Sequence, residues 1–292
     1  MRFHIVDVFA ENRYSGNQLA VFVCPGAVPE KEMQAIAREI NFSESAFILS
    51  EKEEAGGWPV RIFTPLHEVD FAGHPSLGAA HVIQRELIKA AVPKLTLRLK
   101  AGPIPVEFSP SKGDPLWMEQ LAPTFGELLP AAPLAELLGL PAEAIADSWP
   151  VQEVSTGLPH ILVPLRSLDF LRSAKVDRGL YFRFIEKTWA KNILVFCLQG
   201  RTASHAVSVR MFADYLGVAE DPATGSGNGC LAGYLVRHRC LGTPAVSLVA
   251  GQGHEIGRPS LLYLQAEASG SAIHIRVGGK VLDVAAGSWE SA

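Results

Sequence analysis

The chain has 292 residues, 48% of them hydrophobic and 19% charged, with a formal net charge of -4. That profile fits a globular protein with a sizeable core, long enough for two packed domains, and excludes a disordered or fibrous chain. The charges form no long run of one sign, so neither a nucleic-acid footprint nor a polybasic membrane patch is present, and a small neutral or anionic ligand is the expected partner.

The opening residues Met1-Arg2-Phe3-His4-Ile5 alternate as a strand does and lack the apolar stretch of a signal peptide. No uncharged apolar segment reaches the length of a membrane-spanning helix. Cys24, Cys197, Cys230 and Cys240 are far apart in sequence and read as free thiols. A cytoplasmic protein is expected.

In chain order, Ile5–Phe9 and Leu19–Val23 read as two strands joined by a turn-rich connection. Pro29 opens a helix in which Met33, Ile36, Ala37 and Ile40 recur at helical spacing. Phe42–Leu49 returns to a strand pattern, and Arg61-Ile62-Phe63 is a short strand. Pro75–Ile83 is apolar on nearly every side, so this helix must be surrounded by protein. An amphipathic tail, Gln84–Ala90, follows it. Leu95, Leu97, Leu99, Val106 and Phe108 keep a period of two, the mark of antiparallel strands buried on one face. Ala122–Pro150 is dense in Pro, Ala and Leu and reads as a connection between lobes, with a short helix around Leu134–Leu138. Strands are expected at His160–Pro164 and Ile193–Leu198, and a second nearly all-apolar helix at Gly229–Val236. Ile273–Val277, Gly278-Gly279 and Val281–Val284 have the form of a hairpin. The lobes are expected at 1–121 and 122–280, with a final strand at about 281–292 packing back onto the first.

The chain carries a candidate repeat, which reads also as a coincidence between two Gly/Ala-rich helices. Arg61-Ile62-Phe63 leads through Asp70 to Ala72-Gly73-His74 and a buried helix, and Arg210-Met211-Phe212 leads through Asp221 to Thr224-Gly225-Ser226 and another. The start of each helix has backbone N–H groups without intrahelical partners, and Gly73, Gly225 and Gly227 would let a ligand approach them. Gly73, Ser76, Gly225, Ser226 and Gly227 are therefore the candidate substrate-holding positions for a small carboxylate. Such ends stabilise charge developing beside an acidic carbon, as proton abstraction requires.

Three candidates for proton transfer flank these helix starts: Glu44, His74 and Asp221. Glu44 stands among apolar and small residues, where burial would raise its pKa towards a value useful in acid/base work. It reads equally as a turn cap or a solvent-facing carboxylate. His74 has an alternative reading as a structural histidine, Asp221 as a turn initiator before Pro222, and Ser226 as a helix cap. The Gly225–Cys230 string lacks the preceding parallel strand of a dinucleotide loop. His74 and His81 lack a closely spaced third ligand, so no metal is expected. Cys230 reads as a buried thiol.

Together these strings resemble the PhzF family of phenazine-biosynthesis-like proteins, which shares the fold of diaminopimelate epimerase. The resemblance runs nearly end to end. It is carried by Val6-Asp7-Val8-Phe9 with Gly16-Asn17, by Asn41-Phe42-Ser43-Glu44-Ser45, by Arg61–Pro65 through Phe71–Pro75, by Ser155-Thr156-Gly157 and by Glu220–Ser226. It implies an α+β fold of two pseudo-symmetric lobes, each a mostly antiparallel sheet wrapped around a central helix, with the site in the cleft between them. It places the family's proton-shuttling glutamate on Glu44, its histidine on His74, and its aspartate and serine on Asp221 and Ser226. The paired cysteines of the epimerase branch fall on Ala72 and Thr224, which argues against two-thiol epimerisation. What is implied is a cofactor-independent isomerase acting on a compound such as a dihydro-hydroxyanthranilate. The alternatives are a non-thiol racemase and a binding module without catalysis. The resemblance also carries homodimers with it, on which the sequence itself is silent.

Overall fold

The computed structural model describes residues 1–24, 26–111 and 113–290. The chain divides into two compact units, Met1–Glu119 with Gly278–Ala292, and Gln120–Val277.

The first unit opens with a hairpin in which Arg2–Val8 runs antiparallel to Asn17–Val23. Ser45–Ile48 lies parallel to Asn17–Val23, and Trp58–Phe63 returns antiparallel to Ser45–Ile48. Lys94–Leu99, Gly102–Phe108 and Leu116–Glu119 form an antiparallel meander. The helix Glu30–Ile40 turns Met33, Ile36 and Ala37 inward, onto a cluster with Phe22, Phe47 and Phe63. Each large apolar side chain so buried contributes about 1.5–3 kcal/mol.

At the centre of this unit runs Gly73–Val82, with His74 to Ala80 buried without a break. Its hydrophobicity is needed on every side because strands surround it. At Gly78 a methyl group would stand 2.4 Å from Leu19 Cδ2, so the helix can lie this close to the hairpin only without a side chain there. The expected amphipathic tail continues it as a wider π-helical turn, Ile83–Ile88, closed by Lys89 in the left-handed region (φ 58°).

The second unit repeats the plan. Gln152–Ser155 pairs antiparallel with Thr124–Leu128 and with Pro159–Pro164. Pro159–Pro164 runs parallel to Asn192–Cys197, and Val207–Ala213 antiparallel to Asn192–Cys197. Ala245–Gln252 pairs antiparallel with Ser260–Ser269. The central helix is Gly225–Arg237, buried along nearly all its length. The chain is thus α+β, with antiparallel strands predominating in each unit and one buried helix at each centre.

Three sequence expectations need correction. Ala122–Pro150 is not a linker: Thr124–Leu128 is a paired strand, and Leu134, Ala135, Leu137 and Leu138 lie in the core around Tyr181. Its proline content marks the borders of short packed elements. Gly278-Gly279 is not a hairpin turn, because neither glycine has a positive φ and both end the strand Ala272–Gly279. A methyl group at Gly279 would stand 2.1 Å from the Phe9 ring, and one at Gly278 2.7 Å from Trp117, so both are glycine for close approach. Val281–Ser288 instead runs antiparallel to Arg2–Val8. Glu44, finally, is not within a strand; it lies just before Ser45–Ile48.

Candidate active site

Glu44 owes its place to how the first helix ends. Asn41 takes the left-handed conformation (φ 56°) and returns its N–H to the Ala37 carbonyl. Phe42 and Ser43 form a bend, and the strand begins at Ser45. The Glu44 carboxylate comes to rest with Oε2 3.6 Å from His74 Nε2, its side chain 22% exposed and that of His74 6%. Burial raises the Glu44 pKa to about 7 from an ordinary 4.5, against an opposing pull from the Ser43 hydroxyl. Ser43 has one proton to give, and Asn17 Oδ1 stands 3.2 Å from it as a second acceptor. Glu44 can therefore exchange a proton near neutral pH, and His74 is its neighbour at the helix start.

Ala72 caps the helix in extended conformation (φ −149°, ψ 143°) and has no side chain able to carry a proton. Ser76, a candidate substrate contact, is fully buried and donates its hydroxyl to the Ala72 carbonyl at 2.7 Å. Its proton is committed to the helix.

In the second unit, Thr224 caps Gly225–Arg237 and its hydroxyl donates to Asp221 Oδ2. Asn228 stands where Ser76 stands in the first unit, three residues after the leading glycine, and likewise donates to the cap carbonyl, here of Thr224, at 3.0 Å. Gln252 fixes the same turn from the neighbouring strand, donating to the Asp221 carbonyl at 2.8 Å and to Thr224 Oγ1 at 3.0 Å. Ser226 is partly exposed, and its carbonyl accepts from the Thr156 hydroxyl at 3.4 Å. At Gly227 a side chain would meet Leu194 at 2.9 Å and His160 at 3.3 Å, so this glycine is required by packing against protein.

His160 has Nδ1 2.9 Å from the Leu158 carbonyl, which places the proton on that nitrogen, and burial lowers its pKa to about 4. The neutral ring supports the helix start from beneath. Burial also pushes the Cys230 thiol up to about 12, which leaves it unreactive.

The repeat seen in the sequence has a counterpart in geometry. Arg61 grips Glu68 with two hydrogen bonds of 2.7 Å and lies 5.1 Å from the centre of the Phe63 ring. Arg210 grips Glu220 at 3.0 and 2.7 Å and lies 4.9 Å from the centre of the Phe212 ring. Each fork ties the strand that precedes a central helix to the segment leading into that helix. Sequence reading found both arginines and quoted Glu220 within a family string, but it found neither pairing, and it missed Glu68 and Gln252 altogether. The one signal for Gln252 is an amide at the end of a largely apolar strand.

Among the described residues, no three His, Cys, Asp or Glu side chains are grouped so as to hold a metal ion. Nor is any described helix long and apolar enough to cross a membrane.

Residues 6–287 match the model of the family described as phenazine biosynthesis-like protein, PhzC-PhzF. The chain belongs to this family. Similar relatives include two proteins named trans-2,3-dihydro-3-hydroxyanthranilate isomerase. The one from Pseudomonas aeruginosa is 34% identical over 93% of this chain and 92% of its own length. The one from Pseudomonas fluorescens is 37% identical over 90% and 89%. Among solved structures, a PhzF-family phenazine biosynthesis protein from Bacillus anthracis is similar with a TM-score of 0.89 and 25% identity, covering 98% of this chain and 97% of that one. A protein described as a predicted epimerase, from P. aeruginosa, has a TM-score of 0.83 at 31% identity, covering 100% and 99%. A protein described as a probable proline racemase, from Agrobacterium radiobacter, shares the fold alone, with 11% identity and a TM-score of 0.66. This PhzF-family chain is accordingly an isomerase or epimerase by family, with the α+β fold of its structural neighbours.

Proposed function

We propose that this PhzF-family protein moves a proton between two carbons of a small, conjugated, carboxylate-bearing substrate such as trans-2,3-dihydro-3-hydroxyanthranilate, and that Glu44 carries that proton. The observation that supports this most is the Glu44 carboxyl, raised by burial to about 7 and standing 3.6 Å from His74. The ionised carboxylate accepts a proton from carbon, the electron pair left behind spreads into the conjugated system, and the protonated Glu44 returns the proton to a different carbon. Nothing is gained or lost in the cycle, so it needs no cofactor. One carboxylate serves in both directions because Ala72 has no proton to offer and the Thr224 hydroxyl is given to Asp221. The same two features weigh against two-base epimerisation.

Holding the substrate carboxylate falls to Ser226 and the free amides at the start of Gly225–Arg237, and orienting the substrate falls to His74 and Asp221. The protein would act in the cytoplasm, as a homodimer if it follows its family's habit.

The test is proton NMR in D2O, with trans-2,3-dihydro-3-hydroxyanthranilate and a panel of small hydroxy and amino acids. Isomerisation, or exchange at a carbon-bound position, should occur with the wild type and fall about 10³-fold in Glu44→Gln. Undiminished turnover in Glu44→Gln would overturn the assignment of the base. Loss of optical activity in an amino acid of the panel would favour racemisation instead.

A further inference from the structure

We infer that Gln252 is a positioning residue of the reaction, which sets the Asp221 carboxylate through the Thr224 hydroxyl. The inference rests on Asp221 belonging to the site as proposed above.

Gln252 is wholly buried at the end of the strand Ala245–Gln252, and all four of its hydrogen-bonding positions are used. Its carbonyl oxygen accepts from the Thr224 N–H at 3.3 Å and from the Asn228 amide at 2.8 Å. Its amide nitrogen donates to the Asp221 carbonyl at 2.8 Å and to Thr224 Oγ1 at 3.0 Å. These partners leave the amide one orientation. A backbone N–H can only donate and a backbone carbonyl can only accept, so oxygen must face Thr224 N and nitrogen must face the Asp221 carbonyl.

The polarity then passes on. Because Thr224 Oγ1 accepts from Gln252, its own proton is free to point at Asp221 Oδ2, to which it donates. The sequence amide, hydroxyl, carboxylate has one direction, and it ends on a charged acceptor, the stronger kind of hydrogen bond. Gln252 also takes the Thr224 N–H out of the set of free amides at the helix start, which leaves those of Gly225, Ser226 and Gly227 to a ligand. The backbone beyond Gln252 is held to the same loop: Gly253 has a positive φ (75°), and a methyl group on it would stand 2.5 Å from the Pro222 carbonyl. The first unit differs here among the described residues, since Asp70 is largely exposed and paired with Lys100.

Three variants test the inference beside Glu44→Gln. Gln252→Glu keeps the size and both accepting positions but, when ionised, cannot donate to Asp221 or Thr224. Thr224→Val removes the hydroxyl, and Thr224→Ser restores it. With trans-2,3-dihydro-3-hydroxyanthranilate, Gln252→Glu and Thr224→Val should each lower kcat about 10²-fold, the effect of misplacing an orienting group. KM should change less than threefold. The double variant should be no worse than either single one, because both act through one chain of bonds, and Thr224→Ser should recover most of the rate. A crystal structure of Gln252→Glu should show the Asp221 carboxylate turned from its present position. An unmoved carboxylate, or fully additive losses, would overturn the inference. Where Gln252→Glu fails to fold, Thr224→Val and its rescue by Thr224→Ser decide. Full turnover in Glu44→Gln would instead remove the assignment of the base, with the crystal structure still deciding the role of Gln252.

Discussion

The two units build the same frame and fill it differently. In each, an arginine on the strand before the central helix clasps a glutamate and lies against a phenylalanine, and in each the residue three after the leading glycine ties the helix cap. The contrast begins at the strand that runs parallel to the unit's early strand. In the first unit Glu44 precedes that strand, as a carboxylate held near neutrality. In the second unit Lys191 precedes it, and its ammonium is spent on the carbonyls of Ile185 and Thr188 at the end of a helix. The helix caps differ too, Ala72 against a Thr224 that is bonded to Asp221. The duplicated frame thus carries different groups at matching positions: a carboxyl with a raised pKa in the first unit, and polar groups fixed by hydrogen bonds in the second.

The sharpest way to break this contrast is to exchange the two positions' charges for neutral amides. Glu44→Gln should cost about 10³-fold in turnover, while Lys191→Gln should leave turnover within about twofold and lower only stability, by about 1 kcal/mol, for the lost helix-end cation. Steady-state kinetics with a thermal melt of each variant reads both effects.

The forks come next. Arg210 is nearly buried, and besides Glu220 it donates to the carbonyls of Leu171, Arg172 and Ala174. Arg210→Ala should destabilise by about 3–5 kcal/mol, because it leaves a buried carboxylate and three carbonyls without their donor. Arg61 is about a quarter exposed, and water can take over its role, so Arg61→Ala should cost nearer 1 kcal/mol. Urea unfolding of the pair measures the difference, and equal losses would mean that the forks do not differ in the way their burial implies.

A smaller effect separates Glu44 from an ordinary glutamate. Its folded pKa, about 7, lies above its unfolded value, so folding favours the protonated form. Relative to Glu44→Gln, the stability of the wild type should be greatest below about pH 4.5 and should decline as pH rises through 7, by at most roughly 3 kcal/mol. Denaturant midpoints for both proteins between pH 4 and 8 would show it, and parallel curves would contradict it.

Much of this was legible in the sequence wherever the information is local. The central helices are apolar on all sides, and Arg-x-Phe followed by a glycine-led helix occurs twice, so the duplicated frame can be read off the chain. The strands were legible for the same reason, since Leu95, Leu97 and Leu99 alternate as their burial does. What escaped depends on contacts between distant residues. The Gly278-Gly279 pair has the chemistry of a turn, and only the Phe9 and Trp117 rings pressed against it explain its extended form. Gln252 lies 31 residues beyond Asp221, and no spacing rule connects them. Glu44 was singled out by residue type and by the family strings. Its exact seat follows from Asn41 leaving the helix with a positive φ, which sequence patterns convey poorly.

The most direct measurement is a carbon-13 NMR titration of the Glu44 carboxyl in the intact protein, followed at Cδ and assigned by its absence in Glu44→Gln. An inflection near pH 7, matched by a rise in turnover over the same range, is the result expected of a buried carboxylate that accepts a proton from carbon. An inflection near 4.5 would mean that Glu44 is an ordinary solvated side chain, and the assignment of the base would fall with it.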